Sequence, residues 1–270
     1  MAKTGTVAWC VVGLALAAVA PAVAAGPEVG AEPMYVLDGR TDAVLGLGAV
    51  GLNVVHPFLD SGAGRAESVD DVNGLDRLFV FGFDRLQDDI STVLVGGLLV
   101  LPAVVPAMDY GNGSKWLTYG VMYSEAFLLA HGTKEILKST VPRNRPYSLK
   151  GAVPSGEEDD YYNSFPSGHT TFAFLGSSFF SATLSREYPD AVWRVPAVVG
   201  SYALATSVGV LRISSGNHFV TDVLAGAAIG SLWGWLVPKL HENRNTGEPV
   251  LVLVPARGEG GIALGVHFSF

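Results

Sequence analysis

Asn163-Ser164-Phe165-Pro166-Ser167-Gly168-His169-Thr170-Thr171 opens a long uncharged run, and the reading of this stretch decides the rest of the chain. Pro166 stands where a helix would begin, and Ser167 suits an N-cap or first-turn position. The first amides of such a helix have no internal partner, and the helix dipole gives them partial positive charge. Gly168 lets an anion approach them closely, and His169 then stands in the first turn beside whatever the amides hold. Alone, Pro-Ser-Gly-His is equally the start of an ordinary helix.

Two flanking segments change its meaning. Upstream lies Lys138-Ser-Thr-Val-Pro-Arg-Asn-Arg145-Pro146, with cations at the end of one helix and in the following loop. Downstream lies Arg212-Ile-Ser-Ser-Gly-Asn-His218-Phe-Val-Thr-Asp222, where His218 and Asp222 stand four apart. Lys-x6-Arg-Pro, Pro-Ser-Gly-His and Arg-x5-His-x3-Asp, in that order, resemble the three-part signature of the type 2 phosphatidic acid phosphatase and vanadium haloperoxidase superfamily. The resemblance covers about residues 75–240. One position departs from it: Leu211 precedes Arg212 where many members have serine, so any role of that hydroxyl is missing.

Composition agrees with a membrane protein or a tightly packed helical bundle. The 270 residues are 49% hydrophobic and only 16% charged. A net charge of −8 argues against general nucleic-acid binding, which wants a basic surface. Residues 1–25 read as a secretory signal or an uncleaved anchor: Lys3, the apolar run Val7–Val19, and the small-residue site Ala22-Val23-Ala24. Cys10, the single cysteine, falls inside this segment, so the remainder has no disulfide or thiol chemistry.

Residues 26–74 read as a lead-in, within which Ala43–Leu59 is a short span or surface helix broken by His56-Pro57. Leu75–Asp89 has apolar residues at helical spacing and predicts an amphipathic surface helix. Ile90–Met108 is uncharged and just long enough to cross a bilayer, with Pro102 and Pro106 kinking its second half. Trp116–Lys138 is the next helix; Thr170–Ser185, Val195–Leu211 and Val223–Pro238 are further uncharged runs rich in small residues that permit close packing. Residues 75–244 therefore form the domain that holds the motifs. In the last segment, 245–270, Val250–Val254 is continuously apolar and Ile262–Phe270 alternates, which predicts a β-hairpin. The expected fold is all-α: a membrane-embedded bundle of about six helices with a small C-terminal hairpin.

The motif residues suit phosphoryl chemistry. A phosphate monoester is a dianion that repels nucleophiles, so cations and N–H donors must be fixed around its oxygens. Lys138 is a point charge, while Arg145 and Arg212 are planar forks that match phosphate oxygens in pairs. Asp222, one turn after His218, is near enough to accept a hydrogen bond from one ring nitrogen and leave the other free to attack phosphorus. The resemblance implies that Lys138, Arg145, Ser167, Gly168 and Arg212 bind the phosphate. It further implies a phosphohistidine at His218, with His169 as the acid that protonates the leaving oxygen and later activates water.

No metal or other cofactor is required by this arrangement. His131 and Lys134 read as pocket-lining or structural, and His56, His241 and His267 as structural. The expected substrate is a phosphorylated lipid, monoester or diphosphate, with the bilayer as surroundings, no nucleic acid and no obligate protein partner. Lys115, Arg186, Arg194, Lys239 and Arg244 fall at the end away from the motifs, which places the active end of an inner-membrane protein in the periplasm. With a cleaved signal that orientation requires Ala43–Leu59 not to span, and the segment is left out of the count. A soluble periplasmic acid phosphatase, a vanadium haloperoxidase and a non-catalytic phospholipid-binding or transport scaffold are the alternatives.

Overall fold

Four polar side chains set where the helices start. The computed structural model describes residues 33–59, 72–109, 112–151, 161–243, 250–255 and 262–267. Within them Asp38, Asp84, Asn112 and Ser167 each accept a hydrogen bond from the amide three residues on, and so cap α1 (Gly39–Val55), α3 (Arg85–Val100), α5 (Gly113–Thr140) and α6 (Gly168–Glu187). Each such cap contributes about 1 kcal/mol. The short α2 (Gly74–Arg77) lies between the first two, and α4 (Val104–Ala107) continues α3 after a 3-10 turn at Leu101–Ala103. The expected Pro102 kink is that turn, because proline removes a hydrogen-bond donor from the helix. α7 (Arg194–Ser214) and α8 (Val220–Leu240) complete the bundle.

α6 is the middle of the molecule, with α3, α5, α7 and α8 against it. Its buried face is largely Thr, Ser and Gly, so its lack of charge reflects close packing by protein. The closest approach is to α8. A Cβ on Gly226 would lie 2.5 Å from the Ser167 carbonyl, and one on Gly234 would lie 2.6 Å from that of Leu175. Gly230 between them would likewise collide with Thr171. These glycines let one helix backbone rest on the other. Around this contact Met122, Ala126 and Leu129 of α5 meet Leu175 and Phe179 of α6 and Ile229 and Val237 of α8.

The outer faces are apolar. Arg85–Ala107, Arg194–Ser214 and Val220–Leu240 are long and apolar enough to cross a membrane. Val93 remains 75% exposed and Val199 61% exposed, as side chains facing lipid would be. The expected all-α bundle of about six helices is thus the observed one, with three helices long and apolar enough to span a membrane. Val250–Pro255 (β1) and Ile262–His267 (β2) pair antiparallel, Val250 opposite His267 and Pro255 opposite Ile262, as the tail's pattern predicts.

Two expectations need correction. The amphipathic helix over 75–89 does not form. The helix that starts after Asn73 stops at Arg77, residues 80–84 carry no helix, and Asp84 then caps α3. The run Phe79-Val80-Phe81-Gly82-Phe83 is poor in helix formers, and its backbone lies against the 215–216 turn through Asp84 N to Ser215 O at 3.2 Å. Gly216, at φ 72°, has no room for a Cβ beneath the Gly82 carbonyl. The second correction concerns the place of Ala43–Leu59, read as a short span or surface helix within a lead-in: it is part of the bundle itself. α1 lies along α5, with Leu45 and Ala49 buried in the common core. The segment 1–25, read as a signal or anchor, and Arg244 lie outside the described residues.

Candidate active site

Backbone hydrogen bonds bring the three motif segments together before any side chain acts. Arg143 N donates to Tyr162 O at 3.0 Å, Arg145 N to Tyr161 O at 3.1 Å, and Ser164 N to Arg143 O at 3.0 Å. The first motif is thereby held to the segment that leads into Pro-Ser-Gly-His. Ser167 N donates to Asp222 O at 3.0 Å, which joins the second motif to the third. His218 N closes onto Arg212 O at 3.0 Å and fixes the turn between α7 and α8.

The segments enclose a cavity of about 300 Å³ at one end of the bundle. Lys138 of α5, Arg145, Gly168 and His169 of α6, Arg212 of α7 and His218 all line it, together with Lys134, Asp88, Asn217, Val95 and Phe172. Four cations against one carboxylate give it an excess of positive charge that suits an anion. The two arginine forks are held by a shared chain of side chains. Arg145 donates to Asn217 Oδ1 at 2.7 Å, Asn217 Nδ2 donates to Asp88 Oδ1 at 3.2 Å, and Arg212 reaches the same Asp88 oxygen and Ser91. Ser91 thus places a hydroxyl 3.2 Å from Arg212, although Leu211 supplies none.

His218 is fully enclosed, and its Nδ1 lies 2.7 Å from the Ser164 carbonyl. A carbonyl only accepts, so Nδ1 carries the proton and Nε2 keeps its lone pair. Burial, followed by the charges of Arg145, Arg212 and Lys138, holds the ring well below the usual histidine range and therefore neutral. Here the expected role of Asp222 changes. Its Oδ2 stands 3.8 Å from Nδ1 and instead accepts from Ser164 Oγ at 2.5 Å and Phe219 N at 2.8 Å. Asp222 thus orients the segment whose carbonyl holds the histidine.

A second layer lies behind it that the motif spacing does not reveal. Arg143 bonds Asp222 Oδ1 at 2.6 Å with one nitrogen and Asp76 Oδ2 at 2.7 Å with the other, over the ring of Phe219. Asp76 is buried and also accepts from Thr221 N at 2.9 Å and Thr221 Oγ1 at 2.6 Å. Burial alone would raise the Asp76 carboxyl, but hydrogen bonds from Thr221, Arg143 and Asn73 outweigh it and hold it below the usual range. The proximity of Arg143 to the Lys-x6-Arg motif was the available signal for it. Asp76 and Asp88 carry no such signal, because their partners lie far along the chain.

The remaining motif side chains divide differently from the expectation. Gly168 lines the cavity, and an added Cβ would press on the Lys134 side chain at 3.3 Å. Ser167 is spent on the helix itself: its hydroxyl is buried, 2.9 Å from Thr170 Oγ1, and caps α6. His169 Nε2 meets Thr92 Oγ1 of α3 at 3.0 Å. His131 turns away from the cavity to Asn53 of α1, at 2.7 Å. Lys134, by contrast, lines the cavity and pairs with Glu135.

Similarity to known proteins runs through the same segments. Residues 119–246 match the model of the PAP2 superfamily. Over 74 residues the chain is 39% identical to a lipid A 1-phosphatase of Porphyromonas gingivalis, a match that covers 27% of this chain and 15% of that protein. It is 34% identical to the bacitracin transport permease protein BcrC of Bacillus licheniformis, over 43% of this chain and 54% of the relative. The chain therefore spans about half or less of the length of these curated relatives. A crystal structure of a transmembrane PAP2 type phosphatidylglycerolphosphate phosphatase from Bacillus subtilis shares 23% identity and a TM-score of 0.49, covering 72% of this chain and 96% of that one.

Proposed function

We propose that the chain, whose residues 119–246 match the model of the PAP2 superfamily, hydrolyses a phosphorylated lipid through a phosphohistidine at His218. The observation that carries this is the pairing of a cation-lined cavity with a buried neutral histidine whose proton is committed to Ser164. Lys138, Arg145 and Arg212 take the equatorial phosphoryl oxygens, and the Gly168 amide at the α6 N-terminus adds a donor. Nε2 of His218 forms a bond to phosphorus as the bond to the leaving oxygen breaks, and His169 delivers a proton to that oxygen. His169 is protonated once the phosphate dianion offsets the burial and the cations that otherwise hold it neutral. Water then attacks the phosphohistidine, giving its proton to His169 and releasing phosphate, so both histidines return to their starting states. Val95 and Phe172 give the cavity an apolar side suited to the lipid portion.

The proposed orientation puts this end in the periplasm, with Lys115, Arg186, Arg194 and Lys239 on the cytoplasmic side. The place of α1 adds a constraint. It starts beside His241, at the end away from the motifs, and runs toward the active end, where Asn53 meets His131. If α1 crosses the bilayer, an outward-facing site puts its start in the cytoplasm and excludes a cleaved signal over residues 1–25. Reporter fusions near residue 155 and after residue 244 are expected to read periplasm and cytoplasm; the reverse result overturns the orientation.

The test of activity is phosphate release by purified protein in detergent, over phosphatidic acid, phosphatidylglycerol phosphate, polyprenyl diphosphate and lipid A. Release from at least one, inhibited by vanadate and absent in His218→Ala, is the expected result. Binding of these lipids without turnover would favour a scaffold instead.

A further inference from the structure

A second cluster of chemistry lies where α1, α5 and α8 meet. Asp42 comes from the first turn of α1, Glu125 from the middle of α5, and His241 from the C-terminal end of α8. Their donor atoms all lie within 4.8 Å of one another. His241 is 2% exposed and Glu125 7%, whereas the Asp42 side chain is 27% exposed. Glu125 is thirteen positions before Lys138 on the same helix, about 20 Å along the axis at about 1.5 Å per residue. The cluster is thus separate from the phosphate cavity.

The hydrogen bonds leave a specific deficit. His241 Nδ1 lies 2.9 Å from the Val237 carbonyl and must donate to it, so a neutral ring presents a lone pair at Nε2. That nitrogen faces Asp42 Oδ1 at 2.8 Å and Glu125 Oε2 at 3.4 Å. Glu125 Oε2 is buried and receives no hydrogen bond. A proton on Nε2 would serve Asp42 and still leave this oxygen without a donor. One cation would serve all three atoms at once.

We propose that Asp42, Glu125 and His241 bind a divalent first-row transition metal ion, zinc foremost. The separations of 2.8 and 3.4 Å bracket the ~3.3 Å edge of a tetrahedron built on ~2.05 Å zinc bonds. A carbonyl that holds Nδ1–H and aims Nε2 is the usual support of a metal-binding histidine, and Val237 supplies it. One imidazole with two carboxylates suits zinc or manganese better than calcium or magnesium, which prefer oxygen alone. Water completes the coordination, and the partly exposed Asp42 gives the ion its approach. The effect is to tie α1 to the bundle. Its lead-in is already joined there by Val36 N to His241 O and Asn243 N to Met34 O, both 2.9 Å.

The test uses tag-free full-length protein in detergent, stripped with EDTA, dialysed and titrated with Zn²⁺ by calorimetry. One equivalent should bind and survive desalting, and the unfolding midpoint should rise with zinc and return with EDTA. Co²⁺ in its place should give visible absorption bands of a four- or five-coordinate ion. Glu125→Gln and His241→Ala should abolish retention. Because both positions are buried and either variant can misfold, Asp42→Asn is the deciding one. With wild-type circular dichroism it should bind zinc at least tenfold more weakly. Failure of the wild-type chain to retain stoichiometric zinc, or wild-type affinity in Asp42→Asn, overturns the site.

Discussion

Helix α8 is flanked by a buried histidine at either end, and the two invite comparison. His218 precedes its first turn and His241 follows its last. Each ring has its Nδ1 against a backbone carbonyl, Ser164 at 2.7 Å for one and Val237 at 2.9 Å for the other. Each therefore offers Nε2 to whatever lies in front. What differs is the surrounding charge. Lys138, Arg145 and Arg212 share a cavity with His218, while Asp42 and Glu125 face His241. On the proposed readings the same local device serves opposite ligands, an anion at one end and a cation at the other. A histidine's function is read from the charges that converge on it, which no short motif contains.

The sharpest way to break the comparison is to remove one ring at a time. His218→Ala should reduce phosphate release on every substrate by at least about 10⁴-fold, since the proposed mechanism gives the attack on phosphorus to its Nε2. Zinc affinity should stay unchanged in the same preparation. Loss of both properties together would mean the two ends are not independent.

Next in size is His169→Ala. Removal of acid help should slow hydrolysis of a lipid phosphate about 10²–10⁴-fold. A nitrophenyl phosphate, whose leaving group hardly needs a proton, should still phosphorylate the protein. An acid-labile phosphoenzyme should then accumulate in this variant and be absent from His218→Ala. The reverse distribution would exchange the two roles.

Arg143→Ala tests the layer behind His218. It strands the buried carboxylates of Asp76 and Asp222 together, and breaking such a pair costs about 3–5 kcal/mol. Denaturant unfolding in detergent should show that loss, with His241→Ala for contrast. An unchanged midpoint would show that the network does not hold the fold.

The smallest effect is on pH. His218 is held below the usual histidine range, so below about pH 6.5 the unfolded chain binds a proton that the native ring refuses. Its contribution to stability is complete above that pH and is lost as pH falls toward the lower native value. Between pH 7.5 and 5.5 the unfolding midpoint of the wild type should fall more than that of His218→Gln. Equal slopes would mean that His218 titrates normally in the folded protein.

Much of this site was legible in the sequence because its chemistry is local. Lys138, Arg145, Gly168, His169, Arg212 and His218 all line one cavity, as their three spacings suggested. Among the helix starts Ser167 was legible in the sequence, whereas the caps Asp38, Asp84 and Asn112 were not read, and the break before Asp84 was hidden by apolar residues at helical spacing. Pairings across the chain were not legible. Asp76 reaches Arg143 and Thr221, and Asp88 reaches Arg212, through contacts that exist only once the helices have packed. Nor does an uncharged run say whether lipid or protein surrounds it: α6 and α7 look alike in composition, yet one is the centre and the other an outer wall.

The glycines of α8 carry a last consequence. Where Gly226, Gly230 and Gly234 meet α6, two main chains set the distance between the helices that carry His169 and follow His218. That distance is then indifferent to the identity of the side chains on the outer walls. Exchange of the exposed Val93, Val199 and Leu204 for polar residues is expected to leave the spacing of His169 and His218 unchanged. The molecule is therefore a good starting point for a water-soluble version of itself, redesigned from the outside inward with the three glycines left alone.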